Sequence, residues 1–154
     1  MAGHDGAAGY CYGEHTADVL VHAWGASAAE AIGQVIVATA AMVIDPAAVS
    51  PPDAEWLYQV EADDWVSCLV KSVNEFLYLH DSDGALIHRV TVDAMPASAG
   101  APVGVKVRIQ GQRLAERSNL AGIRSPAKAA TYHLAALSQD PATARWVARL
   151  LLDV

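Results

Sequence analysis

Two groups of acidic residues, one near each end of the chain, have the chemistry to bind a hard divalent cation. Residues 14–18 read Glu-His-Thr-Ala-Asp, and the sequence ends on Asp153 and Val154, where a terminal carboxylate adds a further anion. Carboxylate oxygens are the ligands that Ca²⁺, Mg²⁺ and Mn²⁺ prefer. If the last strand lies beside the first ones, Asp18, Asp153 and the Val154 carboxylate converge on a cation. The alternative is that residues 14–18 only form a tight turn and that Asp153 belongs to a frayed end.

Other patterns in the sequence point less directly to chemistry. Residues 81–84, Asp-Ser-Asp-Gly, resemble the front of a calcium-binding loop, but the later ligands of such a loop are missing, so an Asp-Gly turn is predicted. His133 beside Tyr132 is either a base or a hydrogen-bonded structural residue. The sequence contains no nucleophile elbow, phosphate-binding loop or dinucleotide-binding glycine pattern. The usual signatures of hydrolases and nucleotide-dependent enzymes are therefore absent.

Charge is distributed unevenly along the chain. The formal net charge is −7, but residues 1–83 hold thirteen acids and one base, whereas residues 84–154 hold four acids and nine bases. A net negative protein is not expected to bind nucleic acid strongly by itself, because phosphate binding needs clustered bases. The bases of the second half either lie on solvated faces or form a docking surface for a partner protein. The candidate docking residues are Arg108, Arg113, Arg117 and Arg124.

The cysteines and the apolar stretches indicate the cellular compartment in which the protein is expected. Cys11 and Cys68 are far apart and match neither a redox nor a zinc pattern, which predicts buried thiols in a reducing environment. The longest apolar stretch, residues 35–44, is about half of a bilayer span, and the first residues lack the features of a signal peptide. We therefore expect a cytoplasmic protein without a membrane partner.

Two helices are predicted from apolar spacing and capping residues. Ser27 and Glu30 form a capping box, and the apolar residues that follow recur at intervals of three and four up to Asp45-Pro46. A second helix begins after Asp63 or Asp64 and runs through Leu79.

Alternating residues predict strands over 10–15, 19–24, 56–61, 86–92, 103–109 and 145–154, while residues 128–137 fit either helix or strand. Residues 111–126 are predicted to be a long loop. This order of elements predicts an α+β fold, a compact two-layer single domain with two main helices and a mostly antiparallel or mixed sheet. Residues 1–9 are predicted to be a flexible tail ahead of a domain that spans residues 10–154.

The sequence resembles the archease family. The resemblance rests on the motif at residues 14–18, on Asn-Glu-Phe-Leu-Tyr-Leu-His-Asp at 74–81, on Lys-Ala-Ala-Thr-Tyr-His at 128–133, and on the terminal Leu-Asp-Val. It implies a compact α+β protein with an inserted strand-helix-strand-strand module. The family's motif aspartates fall on Asp18 and Asp153, and its motif lysine falls on Lys128.

The resemblance also implies a function. Archeases are accessory factors of the RtcB-type RNA ligase in tRNA splicing, and they promote ligase guanylylation and multiple turnover through an acidic divalent-metal site. We therefore expect a non-enzymatic ligase activator that binds Ca²⁺, Mg²⁺ or Mn²⁺ through Asp18, Asp153 and Val154, with His15 and Lys128 as further candidate site residues. The alternatives are a small metal-dependent hydrolase, with His15 or His133 as base, and a general protein or nucleic-acid chaperone.

Overall fold

The strands of the protein form two antiparallel sheets, and two long helices pack against them. The structure is a computed structural model that describes residues 6–14, 18–49, 52–96, 100–114 and 127–154. The elements are β1 (Gly9–Glu14), β2 (Val19–Gly25), α1 (Ala28–Ala41), β3 (Ala54–Ala62), α2 (Trp65–Asp83), β4 (Ala85–Ala94), β5 (Val103–Arg113), β6 (Ala129–Gln139) and β7 (Trp146–Asp153). The predicted α+β class is confirmed.

Each strand belongs to one of the two sheets. The first sheet has the order β1-β2-β7-β6, so β2 is a central strand, as its two apolar faces predict. The second sheet has the order β3-β5-β4 and is built from one continuous part of the chain that also contains α2. This part is the strand-helix-strand-strand module that the family resemblance implies.

Helix α1 begins at the predicted capping box. The Ser27 side chain accepts a hydrogen bond from the Glu30 backbone N–H at 3.1 Å, and Glu30 accepts one from the backbone N–H of Ala26 at 3.2 Å. The helix ends at Ala41, a few residues before Asp45, which instead caps the short 3₁₀ turn Pro46–Ala48.

Helix α2 is longer than its predicted span. Asp64 caps it by accepting from the Ser67 backbone N–H at 2.7 Å, as predicted. The prediction that residues 81–84 form a turn is wrong, because the helix continues to Asp83 and only Gly84 leaves it, in the left-handed conformation (φ 67°) that caps helices. The residues of this last turn are mostly polar, and they resemble a turn in the sequence. The buried face of the helix nevertheless continues through Leu77 and His80.

Strand β5 extends into the predicted loop. Residues 111–126 were expected to form a loop, but Gly111, Gln112 and Arg113 belong to the strand, and residues 115–126 lie outside the described part of the chain. A Cβ at Gly111 would collide with the carbonyl oxygen of Leu86 on β4. This glycine, which reads as a loop signal in the sequence, is therefore the residue that lets two strands approach closely.

The ambiguous segment after residue 127 is a strand, β6, with a large bulge. Thr131 pairs with Leu151 and Ala136 with Arg149, so four residues of β6 lie opposite one residue of β7. Leu134 within the bulge has φ 62°, and its carbonyl oxygen accepts a hydrogen bond from Arg149 Nε at 2.7 Å. Alanine favours a helix here, but strand pairing with β7 decides the outcome, because it buries Ala130 and Leu137.

The core lies between the helices and the inner faces of both sheets. Its largest fully buried side chains include Phe76, Ile32, Ile36, Leu69 and Leu150. Both cysteines are free thiols. Cys68 is buried as predicted, and burial raises the pKa of its thiol, whereas the prediction is wrong for Cys11, which is only partly buried. Within the described residues, neither helix combines the length and the apolar composition that crossing a bilayer requires.

Candidate metal centre and its surroundings

The antiparallel pairing of β2 and β7 brings the two predicted metal ligands to the same end of a sheet. The last pair of this ladder is Val19 with Leu152. Asp18 immediately precedes Val19 and Asp153 immediately follows Leu152, so each aspartate lies one residue beyond this pair. On its other side, Asp153 pairs with Ala129 of β6. The two aspartates are 135 positions apart in the sequence, yet the register brings their backbones to the same end of the first sheet.

Lys128 lies at this same end of the sheet. Its backbone N–H donates to the carbonyl oxygen of Asp153 at 2.7 Å, and its side chain is exposed. His15, the other candidate, lies outside the described residues. The structure therefore brings together Asp18, Lys128, Asp153 and Val154 around one strand end.

The donors at this strand end suit a hard cation. Two carboxylates at the same end of neighbouring antiparallel strands repel each other. A divalent cation bound by oxygen ligands removes that repulsion. Within the described ranges, no three side chains of His, Cys, Asp and Glu lie close enough together to hold a metal ion. A cation here would therefore take its third ligand from the terminal carboxylate, from water or from residues 14–17.

Burial of the last strand holds the chain end in place. Leu150 and Leu152 are fully buried, and Trp146 at the start of β7 packs edge-to-face on Trp65 of α2, with ring centroids 6.3 Å apart. Fixing a free chain end costs about 1–2 kcal/mol per residue of backbone entropy. Here the burial of β7 offsets that cost, so Asp153 occupies a defined position.

Asn74 is a structural partner of this region to which the sequence analysis gave no role, although it begins the motif at residues 74–81. Its side-chain Nδ2 donates to the carbonyl oxygen of Ala130 at 3.2 Å, and its Oδ1 accepts from the Ala130 N–H at 2.8 Å. Both backbone groups lie on the edge of β6 that no strand of the described residues pairs with. Besides the motif, the unfavourable helix propensity of asparagine is a signal of a special role.

Asp83, in the acidic run at the end of α2, has a structural role. Asp83 accepts a hydrogen bond from Trp56 Nε1 at 2.8 Å and pairs with Arg113 Nε at 3.3 Å. The hydrogen bond from Trp56 and then the one from Arg113 lower the pKa of Asp83. The Arg113 guanidinium also lies over the Trp56 ring, 5.2 Å from its centroid. Asp83 therefore ties the end of α2 to β3 and β5.

The four arginines of the predicted docking surface have different environments. Arg108 pairs with Glu55 across the exposed face of the second sheet at 2.6 Å, and Arg113 is bonded to Asp83. Arg117 and Arg124 lie outside the described residues. The docking surface stays a prediction, and Arg113 has a structural role in addition. His133, which the sequence leaves as a base or a structural residue, and its neighbour Tyr132 are both exposed in the β6 bulge.

A comparison with protein families gives one match that spans most of the chain. The sequence profile described as "Archease protein family (MTH1598/TM1083)" matches residues 10–154.

Individual relatives agree with this match. The protein archease of Pyrococcus abyssi is 27% identical over 141 residues, which cover 92% of this chain and 95% of that protein. The protein archease of Pyrobaculum neutrophilum is 40% identical over 82 residues, and this alignment spans only 53% of the chain and 55% of that relative.

Two solved structures share the fold. The solution structure of Methanobacterium thermoautotrophicum protein 1598 superposes with a TM-score of 0.73 at 20% identity, covering 94% of this chain and 98% of that one. The crystal structure described as an archease and possible chaperone from Thermotoga maritima gives a TM-score of 0.50 at 14% identity, covering 92% and 94%. At these identities, the likeness concerns the fold alone.

Proposed function

The chain belongs to the archease family, and from this premise we propose that it is an accessory factor of an RtcB-type RNA ligase in tRNA splicing or RNA repair. In this role it promotes guanylylation of the ligase and multiple turnover, and it supplies no nucleophile of its own. The description of the Thermotoga maritima relative as a possible chaperone suits a protein that acts on a partner protein.

The proposed mechanism places a divalent cation at the end of the first sheet. Asp18, Asp153 and the Val154 carboxylate would hold Ca²⁺, Mg²⁺ or Mn²⁺, and the bound ion would supply positive charge to the ligase centre. Lys128, whose side chain is exposed beside Asp153, would contact the anionic groups of that centre. His15 adjoins Asp18 in the sequence motif and is the other candidate contact.

One observation carries this proposal. The β2–β7 register ends on Val19 and Leu152, the direct chain neighbours of Asp18 and Asp153, which supports a position of both aspartates at the same end of the sheet. Like charges that face each other on neighbouring strands destabilise a sheet by about 0.2–1 kcal/mol, so two aspartates at this end favour a function or a bound cation. The two positions are also those on which the family's motif aspartates fall.

The test is a guanylylation assay of the cognate ligase, with and without this protein and with Mn²⁺ or Mg²⁺ present. We expect stimulation by the wild-type chain and its loss in Asp18→Asn and Asp153→Asn. Asp93→Asn is the matched control, because Asp93 is an exposed aspartate on the second sheet. Absence of stimulation by the wild-type chain, or equal stimulation by all four proteins, would contradict the proposal.

The same proteins separate the alternatives. Turnover of a phosphoester or amide substrate by the chain alone, lost in Asp18→Asn, would instead identify a metal-dependent hydrolase. Suppression of aggregation of unrelated proteins, unaffected by either aspartate variant and without any effect on the ligase, would identify a general chaperone.

A further inference from the structure

A cavity of 360 Å³ lies between the last turns of α2 and the residues that lead into β6. Its size falls within the range of about 300–1,000 Å³ that is typical of small-molecule sites. The polar side chains that line it include His80 and Asp81 from α2 and Lys128 from the other wall, and Tyr78 stands at its rim.

His80 is held in one orientation and one tautomer. Its side chain is only 9% exposed, its ring packs near Phe76 with centroids 6.3 Å apart, and its Nδ1 lies 2.9 Å from the carbonyl oxygen of Ala85. A carbonyl oxygen only accepts, so Nδ1 carries a proton, and in the neutral ring Nε2 keeps its lone pair. Among the described residues no group forms a hydrogen bond with Nε2, and Nε2 is not among the fully buried polar atoms that lack a partner. In the neutral ring Nε2 is therefore an acceptor for a molecule in the cavity.

Lys128 supplies a cation at a defined place on the opposite wall. Its backbone is tied to Asp153 O at 2.7 Å, and two residues later Asn74 binds both backbone groups of Ala130. Within the described part of the chain its ammonium group makes no ion pair. The backbone beside Lys128 is thus held in place, and its exposed side chain can turn its charge toward a ligand.

The chemical complement of this lining is a molecule that carries both hydroxyl donors and an anion. His80 Nε2 and the Asp81 carboxylate accept hydrogen bonds from hydroxyl groups, and Lys128 pairs with a phosphate. The Asp81 carboxylate repels any phosphate, but a sugar hydroxyl that donates to it offsets this repulsion in a ribose phosphate and not in a bare phosphate ion. Tyr78 is 62% exposed, and its ring can cover the apolar face of a sugar or a base. We propose that this cavity binds the ribose phosphate unit of a nucleotide.

This proposal goes beyond the proposed ligase activation and does not require the metal centre. A free mononucleotide and the phosphorylated end of an RNA chain share the ribose phosphate unit, so both are sources of the ligand. The binding experiment uses the isolated chain, with no ligase and no divalent cation. A failure of this proposal therefore leaves the proposed function standing, and the reverse also holds.

The test is a calorimetric titration of the chain with ribose 5-phosphate, 2-deoxyribose 5-phosphate and inorganic phosphate at millimolar concentration. We expect saturable binding of ribose 5-phosphate and affinities for the other two probes that are weaker by about tenfold or more, because 2-deoxyribose 5-phosphate lacks the 2-hydroxyl donor and inorganic phosphate lacks all of the sugar hydroxyls. No saturable binding of ribose 5-phosphate, or equal affinity for inorganic phosphate, would overturn the proposal.

Variants separate the two halves of the site. Lys128→Ala should weaken ribose 5-phosphate binding by about tenfold or more, whereas Lys71→Ala, which removes the same charge from the neighbouring groove, should leave it unchanged. His80→Asn keeps a donor for the carbonyl oxygen of Ala85 and removes Nε2. It should therefore reduce the difference in affinity between ribose 5-phosphate and 2-deoxyribose 5-phosphate. If His80→Asn does not fold, the affinities of Asp81→Asn for the same probes are measured in its place, since Asp81 is exposed. Unchanged affinity in Lys128→Ala would contradict the assignment.

A last comparison identifies the source. Adenosine and guanosine monophosphates are titrated beside a short oligoribonucleotide that ends in a phosphate. Tighter binding of either class than of ribose 5-phosphate supports the site and identifies its natural ligand. Weaker binding of both classes would mean that the cavity admits only the sugar probe and would overturn the nucleotide assignment.

Discussion

Asn74 on α2 binds both backbone groups of Ala130 on β6, donating to its carbonyl oxygen at 3.2 Å and accepting from its N–H at 2.8 Å. Ala130 pairs with Leu152 on its other side, one residue before Asp153. A single side chain therefore joins the helix of the inserted module to the strand that neighbours the candidate metal centre. It occupies the edge of β6 as a further strand would, by satisfying one donor and one acceptor.

We expect Asn74→Leu to lower the free energy of unfolding by about 1–3 kcal/mol, because both edge groups of Ala130 lose their partner in a partly buried position. Asn74→Asp keeps the acceptor and should cost less. Urea denaturation measures both values, and Gln59→Ala, on the exposed face of the second sheet, is the control with an expected change within about 0.5 kcal/mol. Equal stability of Asn74→Leu and wild type would show that the two hydrogen bonds between Asn74 and Ala130 do not contribute to the stability of the fold.

Gly111→Ala should destabilise the fold strongly. The added Cβ would meet the carbonyl oxygen of Leu86 on the paired strand β4, so the two strands would have to separate. We expect a loss of about 3 kcal/mol or more, at the upper end of the cost of overpacking. Gly6→Ala is the control, since a Cβ there meets nothing within 4 Å. A melting temperature for Gly111→Ala within the error of the wild-type value would refute this reading of β5.

The contribution of Asp83 should depend on pH. The hydrogen bonds from Trp56 and Arg113 lower its pKa in the folded protein, so the carboxylate stabilises the fold above its unfolded pKa, and this contribution is lost as pH falls through the folded value. The stability difference between wild type and Asp83→Asn should therefore shrink as pH is lowered through the acid range. Thermal melts at a series of pH values measure it.

A second background checks the cause of that pH dependence. Trp56→Phe keeps an aromatic ring beside Arg113 but removes the Nε1 donor that binds Asp83 at 2.8 Å. In this background the pH dependence of the Asp83→Asn difference should be smaller. An unchanged profile would mean that Trp56 does not hold the Asp83 carboxylate in solution.

The elements that were predicted correctly carry their signals locally, and the errors have non-local causes. Ser27 and Glu30 lie within one helical turn, so the start of α1 could be identified from the sequence. The end of α2 and the end of β5 depend instead on contacts across the fold, namely Asp83 with Trp56 and Gly111 with Leu86. A polar run and a glycine resemble loop signals until such partners are known.

The candidate site was predictable only in part for the same reason. Residue types and the family motifs identified Asp18 and Asp153, because each lies within a short recognisable motif. That both lie at the same end of the sheet follows from the pairing of β2 with β7, which the sequence analysis could only assume. The role of Asn74 depends on a contact with Ala130, 56 positions away, which the motif at residues 74–81 does not reveal.

Reversing the charge of Arg113 and of Arg108 should have different effects. Arg113→Glu sets a carboxylate beside Asp83 and removes the cation over Trp56, so it should lower the melting temperature. Arg108→Glu breaks an exposed pair with Glu55, which is worth about 0–1 kcal/mol, and should change stability little. If Arg108 belongs to the docking surface, its reversal should slow association with the ligase and reduce its salt dependence, as surface plasmon resonance at two salt concentrations would show.

The terminal carboxylate of Val154 can be tested by extending the chain. A Gly-Ser extension after Val154 converts that carboxylate into a neutral amide, while Asp18, Asp153 and the buried strand β7 stay in place. A cation that binds only the folded state at a hundredfold excess over its Kd stabilises the fold by about 2.7 kcal/mol. We therefore expect Mn²⁺, Mg²⁺ or Ca²⁺ to raise the melting temperature of the wild-type chain over its value in EDTA, and to raise that of the extended chain less.

An N-terminal Gly-Ser extension ahead of residue 1 is the matched control, because it adds the same residues without changing the carboxylates at the end of β7. This variant should respond to cations as the wild-type chain does. Calorimetric Mn²⁺ titration and ligase guanylylation are measured on all three proteins. Equal affinity and equal stimulation would remove the Val154 carboxylate from the site and leave Asp18 and Asp153 as its protein ligands. Equal melting temperatures with EDTA and with each cation in the wild-type chain would contradict the metal centre itself.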